Sequence, residues 1–138
     1  MNQLINQEHR SKMEVLEAAM LESGATIDLE VKHFFAHKTY TRELFIPAGT
    51  VLTGEIHRYS AINIISKGKI RVVTDEGEYD IEAPHTFVSG AGVKKAGYAL
   101  EDTIWINVHY WDGEQTVEQI GQEVTIPSYE ALAVEEIV

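Results

Sequence analysis

Glu55 and His57 are the first residues whose types and spacing suit chemistry. They lie two positions apart in a stretch whose pattern predicts a β-strand, so their side chains point to the same face. A carboxylate and an imidazole side by side can bind a divalent metal, or can hydrogen-bond to a polar ligand. The pair therefore predicts a polar site of one of these two kinds.

A second polar group lies on a later predicted strand. One face of this strand carries Trp105, Asn107 and His109, and the other carries Ile104, Ile106 and Val108. If the polar face looks into the fold, His109 is the best candidate for a third ligand beside Glu55 and His57. Two imidazoles and a carboxylate suit Zn²⁺, Fe²⁺, Ni²⁺ or Mn²⁺, with open positions left for water or substrate.

The elements that must position these residues are short strands. After Gly24 the apolar residues alternate with period two, and glycines, prolines and Asp-Gly pairs separate the runs. The runs are Ile27–Val31, Glu43–Ile46, Val51–Tyr59, Ile62–Ile65, Lys69–Thr74, Glu78–Ile81, Thr86–Ser89, Lys95–Ala99 and Ile104–Tyr110. Many short strands without intervening helical patterns predict an all-β sandwich or barrel, and exclude a parallel βαβ architecture.

The two ends of the chain predict different elements. Ser11 to Glu14 fits a capping box and Gly24 supplies a stop, so we expect a helix from about Lys12 to Ser23. In the tail, Thr125 to Tyr129 predicts a short strand or extended arm, followed by a turn or two of helix. The expected organisation is a helical segment over residues 1–25, a barrel over 26–115 and an arm over 116–138 that packs on the barrel.

Length and charge limit the classes of function. The 138 residues suit one domain, and 22 acidic against 11 basic residues give a net charge of −11. This charge disfavours binding to nucleic acids and to anionic membranes. Cysteine is absent, which excludes disulfides and thiolate chemistry. Without a signal-peptide pattern or a long apolar run, we expect a soluble cytoplasmic protein.

Two stretches resemble the motifs of the cupin family. Pro47 to His57, followed by Ile62 to Val72, resembles the first cupin motif, and Gly77 to Lys95 resembles the second. The resemblance implies an all-β fold with one cupin barrel, that is, a double-stranded β-helix or jelly roll. Cupins commonly pair through their strands, so a homodimer is expected, with Ile27–Val31 as a strand that can cross to the partner.

The resemblance also marks the positions where metal-dependent cupins carry three histidines and a glutamate. These positions hold Glu55, His57, Ala61 and Lys95 in this sequence, so one of the four ligands is preserved. An ammonium group at Lys95 would repel a cation, and can instead pair with Glu55. We therefore expect no cofactor, with a divalent metal as the alternative.

A narrower resemblance involves Tyr40 to Pro47 and Ala96 to Trp105. These stretches are similar to small cupin-like proteins encoded by bacteriophages and prophages. That group implies an accessory protein in a bacterial host cell without an assigned reaction.

The function predicted from these observations is that of a degenerate cupin that binds a small polar or anionic molecule in its barrel. Lys95 and His57 would pair with an anion, and Glu55 would accept hydrogen bonds. The rings of Tyr59, Tyr98 and Trp105 would stack on the ligand, and His109 completes the set. Three alternatives stay open: a metal-dependent cupin enzyme of the isomerase, lyase or dioxygenase type, a protein that acts through its surface, and a barrel whose polar groups satisfy one another without free volume. No catalytic residue is assigned.

Overall fold

A computed structural model describes residues 28–127 of the chain. The expected helix from Lys12 to Ser23, the residue Ile27 and the expected helix at the end of the tail lie outside the described residues.

Strands dominate the described part of the chain, as predicted. They are β1 (Glu30–Ala36), β2 (Thr39–Ile46), β3 (Val51–Thr53), β4 (Ile56–His57), β5 (Ala61–Lys67), β6 (Lys69–Thr74), β7 (Gly77–Glu82), β8 (His85–Ser89), β9 (Ala96–Ala99), β10 (Thr103–Tyr110) and β11 (Thr125–Ile126). A short helix, α1 (Val117–Val124), precedes β11. It is too short to cross a membrane, and residues 28–127 contain no other helix.

The strands form three antiparallel sheets. A five-stranded sheet has the order β1-β2-β10-β5-β8, a four-stranded sheet has the order β3-β9-β6-β7, and β11 pairs with β4. The core lies between the two larger sheets. It consists of Leu44, Ile46, Ile65, Ile70, Val72, Ile81, Ala99 and Trp105. Because apolar side chains from both sheets meet in one core, the sheets close on each other as a barrel.

The hairpin between β5 and β6 depends on Gly68. This residue has φ +88°, and a Cβ atom there would lie 2.1 Å from the carbonyl oxygen of Asp102. Glycine is therefore required for two reasons, the left-handed backbone and the close approach of a neighbouring chain segment. The cupin-like motif places a hairpin-closing glycine at this position.

Two expectations about local structure are corrected. The run Val51–Tyr59 is two short strands, β3 and β4, separated at Gly54 and Glu55. The helix α1 was not predicted, although Thr116 and Gln119 form a capping box, with the Thr116 hydroxyl accepting from the Gln119 amide at 3.2 Å. The Thr-x-x-Gln pattern was a visible signal for this helix.

The arm after α1 attaches to the end of the barrel. Thr125 pairs with His57 in the β11–β4 ladder, and the amide of Arg58 donates to the carbonyl of Val124 at 2.7 Å. The Arg58 guanidinium donates to the carbonyl of Glu123 at 2.5 Å. The described part of the expected C-terminal arm therefore lies directly beside His57.

Glu30 and Val31 belong to the segment that was expected to cross to a partner subunit. In the structure they form the start of β1 and pair with Phe45 and Leu44 of the same chain. They are thus part of the chain's own five-stranded sheet.

Candidate functional site

A large cavity lies inside the barrel, with a volume of about 1230 Å³. Its wall is formed by β2 and β10 of the five-stranded sheet, by β3 and the start of β9, and by α1 and β11. The polar groups of the barrel therefore surround free volume, and the alternative of a completely filled interior is wrong.

Five of the seven predicted ligand-binding residues line this cavity. They are Glu55, His57, Lys95, Trp105 and His109. Tyr98 does not line it, because its side chain on β9 is 41% exposed and points away from the interior. Tyr59 is exposed and lines a separate cavity of about 150 Å³, whose wall also includes His57 and His109. Of the three residues that were expected to stack on a ligand, Trp105 is therefore the one that lines the main cavity.

His57 and His109 form an edge-to-face pair, with ring centroids 5.6 Å apart. Burial, followed in order by the influence of Lys95, His109 and Arg42, lowers the pKa of His57 to about 4. Burial, Arg42 and Lys95 also lower the pKa of His109. Both rings are therefore neutral at pH 7 and can donate and accept hydrogen bonds. The Nδ1 atom of His57 is buried without a hydrogen-bond partner among the residues that the structure describes.

Lys95 is a buried cation. Only 9% of its surface is exposed, and burial lowers the pKa of its amine to about 8. Within the described part of the chain it forms no ion pair. The expected pair with Glu55 is absent there, since Glu55 lies in the break between β3 and β4 and is exposed to solvent.

Arg42 is a site residue that the sequence reasoning missed. It lies on β2 between the buried Tyr40 and Leu44, and so faces the interior; it opposes Asn107 on β10. No described acid pairs with it. The alternation Tyr-x-Arg-x-Leu was the available signal, since an arginine in the inward register of an apolar strand is unusual.

Asn63 fixes two of the cavity's side chains without lining the cavity itself. It is fully buried on β5. Its Oδ1 accepts from Trp105 Nε1 at 3.0 Å and from Asn107 Nδ2 at 2.6 Å. Its Nδ2 donates to the hydroxyl of Ser89 at 3.0 Å and to the carbonyl of Ala61 at 3.1 Å. All four hydrogen-bonding positions of Asn63 are used. These bonds hold the indole of Trp105 and the amide of Asn107 in place.

Tyr40 extends the aromatic lining from His109 to the rim. Its ring stacks on His109 and on His33, with centroid distances of 6.1 and 5.8 Å. The Tyr40 hydroxyl lies 2.6 Å from Nδ1 of His33. Burial raises the pKa of Tyr40, so the hydroxyl stays protonated at neutral pH.

The predicted metal ligands Glu55, His57 and His109 do not converge as a ligand set. In residues 28–127, no three side chains of His, Cys, Asp or Glu form a group that could hold a metal ion. The two histidines face Lys95 and Arg42, whose positive charges oppose a cation. Ala61, at the glutamate position of the motif, has no ligating atom. The described residues therefore do not fit a divalent metal.

Solved structures with a similar fold include several cupins, whereas no protein-family model and no curated protein matches the sequence. An RmlC-like cupin from Shewanella frigidimarina is 18% identical, with a TM-score of 0.52 over 62% of this chain and 78% of that one. A Cupin 2 conserved barrel domain protein from Salinispora arenicola is 16% identical, with a TM-score of 0.51 over 62% and 76%. KdgF from Halomonas sp. is 16% identical, with a TM-score of 0.52 over 61% and 81%. The barrel of this chain is thus a cupin fold of the all-β class.

Proposed function

We propose that the protein is a degenerate cupin that binds a small polar or anionic molecule in its barrel. The observation that carries this proposal is the presence of two cationic side chains, Lys95 and Arg42, on the cavity wall without an acidic partner among the described residues. Removing a charge from water is costly unless an opposite charge or hydrogen bonds compensate it. A bound anion would provide that compensation for both side chains.

The remaining wall suits a small organic ligand. The neutral rings of His57 and His109 offer hydrogen bonds, and the indole of Trp105 offers an aromatic face. The volume of about 1230 Å³ exceeds the range of roughly 300–1,000 Å³ that is typical of ligand pockets. The cavity therefore has room for a metabolite together with bound water.

The sequence resemblance to phage and prophage proteins suggests where the protein acts. The stretches Tyr40 to Pro47 and Ala96 to Trp105 support an accessory protein that acts in the cytoplasm of a bacterial host. Two of the site residues, Arg42 and Trp105, lie in these stretches. The ligand would then be a molecule of the host cell.

We also propose that the protein is a homodimer, and that the outer face of the five-stranded sheet forms the contact. A row of residues crosses this face in register: Phe34, Thr41, Val108, Ile62 and Val88. Phe34, Ile62 and Val88 are 52%, 45% and 70% exposed. Light scattering of the wild type at micromolar concentration should give twice the monomer mass. Val88→Glu should lower the measured mass towards that of the monomer. A monomeric wild type would contradict the proposal.

The binding proposal is tested by identifying what the protein retains on purification. Small molecules released on denaturation would be identified by mass spectrometry for the wild type, Arg42→Gln, Lys95→Gln and the exposed control Lys67→Gln. We expect one anion at similar amounts in the wild type and in Lys67→Gln, and a strong reduction in the two cavity variants. A wild type that releases nothing and binds no member of a library of small anions would contradict the proposal.

Elemental analysis of the same preparations tests the alternative of a metal-dependent enzyme. About one transition metal per chain, lost in His57→Ala and retained in Lys67→Gln, would favour the enzyme over the metal-free binding protein.

A further inference from the structure

We propose that the ligand is a monocarboxylate with an apolar body, such as an aryl-substituted acid, whose carboxylate faces Arg42 and Lys95 and whose body packs against Leu44, Leu52 and Trp105. This inference rests on the proposed binding function and narrows its ligand to one chemical class.

The register of the strands divides the interior into layers of different polarity. Val31, Leu44, Trp105 and Ile65 face one another across four strands and form an apolar layer. Two positions further along each strand, His33, Arg42, Asn107 and Asn63 form a polar row, of which Arg42 and Asn107 line the cavity as its polar layer. Because two residues of a strand span about 7 Å, an amphiphilic molecule of modest size can reach both layers.

The polar layer contains the features of a carboxylate site. The planar guanidinium of Arg42 can donate two parallel hydrogen bonds to a carboxylate. Asn107 lies opposite Arg42, and its amide nitrogen donates one of its two hydrogens to Asn63. The buried Lys95 is a second positive charge on the same cavity, and the fields of Lys95 and Arg42 act on the same two histidines. The two cations therefore lie around a common volume.

The charge distribution favours a single negative charge over a phosphate dianion. The acidic side chains on the cavity wall, Asp28, Glu55 and Glu118, are exposed, so the rim is negative where the depth is positive. The net charge of −11 adds to the repulsion of highly charged anions. Both histidines are neutral at pH 7, so they add no positive charge that could compensate further negative charges on a ligand.

The apolar layer offers a rigid surface for the body of the ligand. Trp105 is 7% exposed, and its indole nitrogen is held by Asn63 at 3.0 Å. Leu44 lies opposite Trp105 in the sheet, and Leu52 reaches the cavity from β3 in the other sheet. An apolar group placed between these side chains loses its contact with water, and this contributes to affinity in proportion to the area buried.

The test is a calorimetric titration of the full chain with matched probes. Phenylacetate has both a carboxylate and an apolar ring. Phenylacetamide lacks the negative charge, and acetate lacks the ring. Phenyl phosphate and inorganic phosphate have a phosphate group in place of the carboxylate. We expect phenylacetate to bind at least about tenfold more tightly than each of the other four probes. A difference of this size corresponds to the loss of one charge-assisted hydrogen bond or of one buried ring. Arg42→Gln should weaken phenylacetate binding about tenfold, whereas Lys67→Gln should leave it unchanged.

The other outcomes separate the two proposals. Tighter binding of phenyl phosphate or inorganic phosphate would overturn the carboxylate class and leave the anion-binding function in place. Equal binding of acetate and phenylacetate would overturn the role of the apolar layer. Equally tight binding of phenylacetamide and phenylacetate would show that Arg42 and Lys95 do not recognise the carboxylate charge. Failure of all five probes to bind the wild type would contradict the carboxylate class, and the library screen for the proposed function would then decide whether any anion binds.

Discussion

The indole nitrogen of Trp105 donates to Oδ1 of the fully buried Asn63 at 3.0 Å, and this bond joins the core of the barrel to the wall of the cavity. Asn63 itself does not contact the cavity, yet both side chains that donate to it do. A residue outside the cavity wall therefore helps to determine where the indole face lies.

Replacement of Asn63 should destabilise the fold. In Asn63→Ala the indole and amide donors of Trp105 and Asn107 lose their acceptor inside the core, and an unsatisfied buried donor costs roughly 1–3 kcal/mol. We expect the free energy of unfolding to fall by about 3 kcal/mol in urea titrations followed by tryptophan fluorescence. Ser66→Ala, on the same strand but at an exposed position, serves as the control and should lose less than about 0.5 kcal/mol.

Gly68 and Gly113 provide a matched pair that separates backbone strain from steric clash. Both have positive φ, +88° and +98°, but a Cβ atom would meet the Asp102 carbonyl only at Gly68 and open space at Gly113. Alanine at Gly113 should cost about 1 kcal/mol in thermal or urea unfolding. Alanine at Gly68 should cost at least about 2 kcal/mol more, because the hairpin must shift away from Asp102. Equal losses would show that the hairpin relaxes freely.

The burial of Lys95 should make stability depend on alkaline pH. Its folded pKa of about 8 lies below the ordinary value of 10.5, so between these values the unfolded chain binds more protons than the folded one. Stability therefore gains up to about 3 kcal/mol from this group as the pH rises from 8 to 10.5. Lys95→Met removes this gain, so its stability advantage over the wild type should be larger at pH 7 than at pH 10. The exposed control Lys67→Met should show the same difference at both values.

The two cations of the cavity should influence the two histidines unequally. For His57 the effect of Lys95 exceeds that of Arg42, and for His109 the order is reversed. In NMR titrations of the imidazole signals, Lys95→Gln should therefore raise the pKa of His57 more than Arg42→Gln does. Arg42→Gln should in turn raise the pKa of His109 more than Lys95→Gln does. Replacement of Lys67 should change neither pKa, and a shift of equal size in all three variants would contradict the arrangement of the cavity.

Period-two alternation and turn residues were sufficient to predict an all-β sandwich or barrel, because they reflect local chemistry. The cupin form of the barrel was implied by the resemblance of Pro47 to Val72 and Gly77 to Lys95 to the cupin motifs. The face shared by Trp105, Asn107 and His109 follows from alternation alone, and the structure places all three on the cavity wall. The same rule applied to Tyr40 and Leu44 places Arg42 inside. Alternation thus identifies which side chains share a face.

The sequence by itself determined the strand pattern, the low number of preserved metal-ligand positions and the absence of cysteine. Only the tertiary structure decided which of these side chains meet. Glu55 shares a predicted strand face with His57, yet the break between β3 and β4 leaves it at the solvent. Tyr98 alternates with Gly97 and Ala99, whose positions face the core, so its side chain lies on the outer face of β9 and is 41% exposed. Contacts between residues far apart in sequence, such as Asn63 with Trp105 and Arg42 with Asn107, depend on strand register. Register is determined by the packing of the whole barrel and not by any single segment.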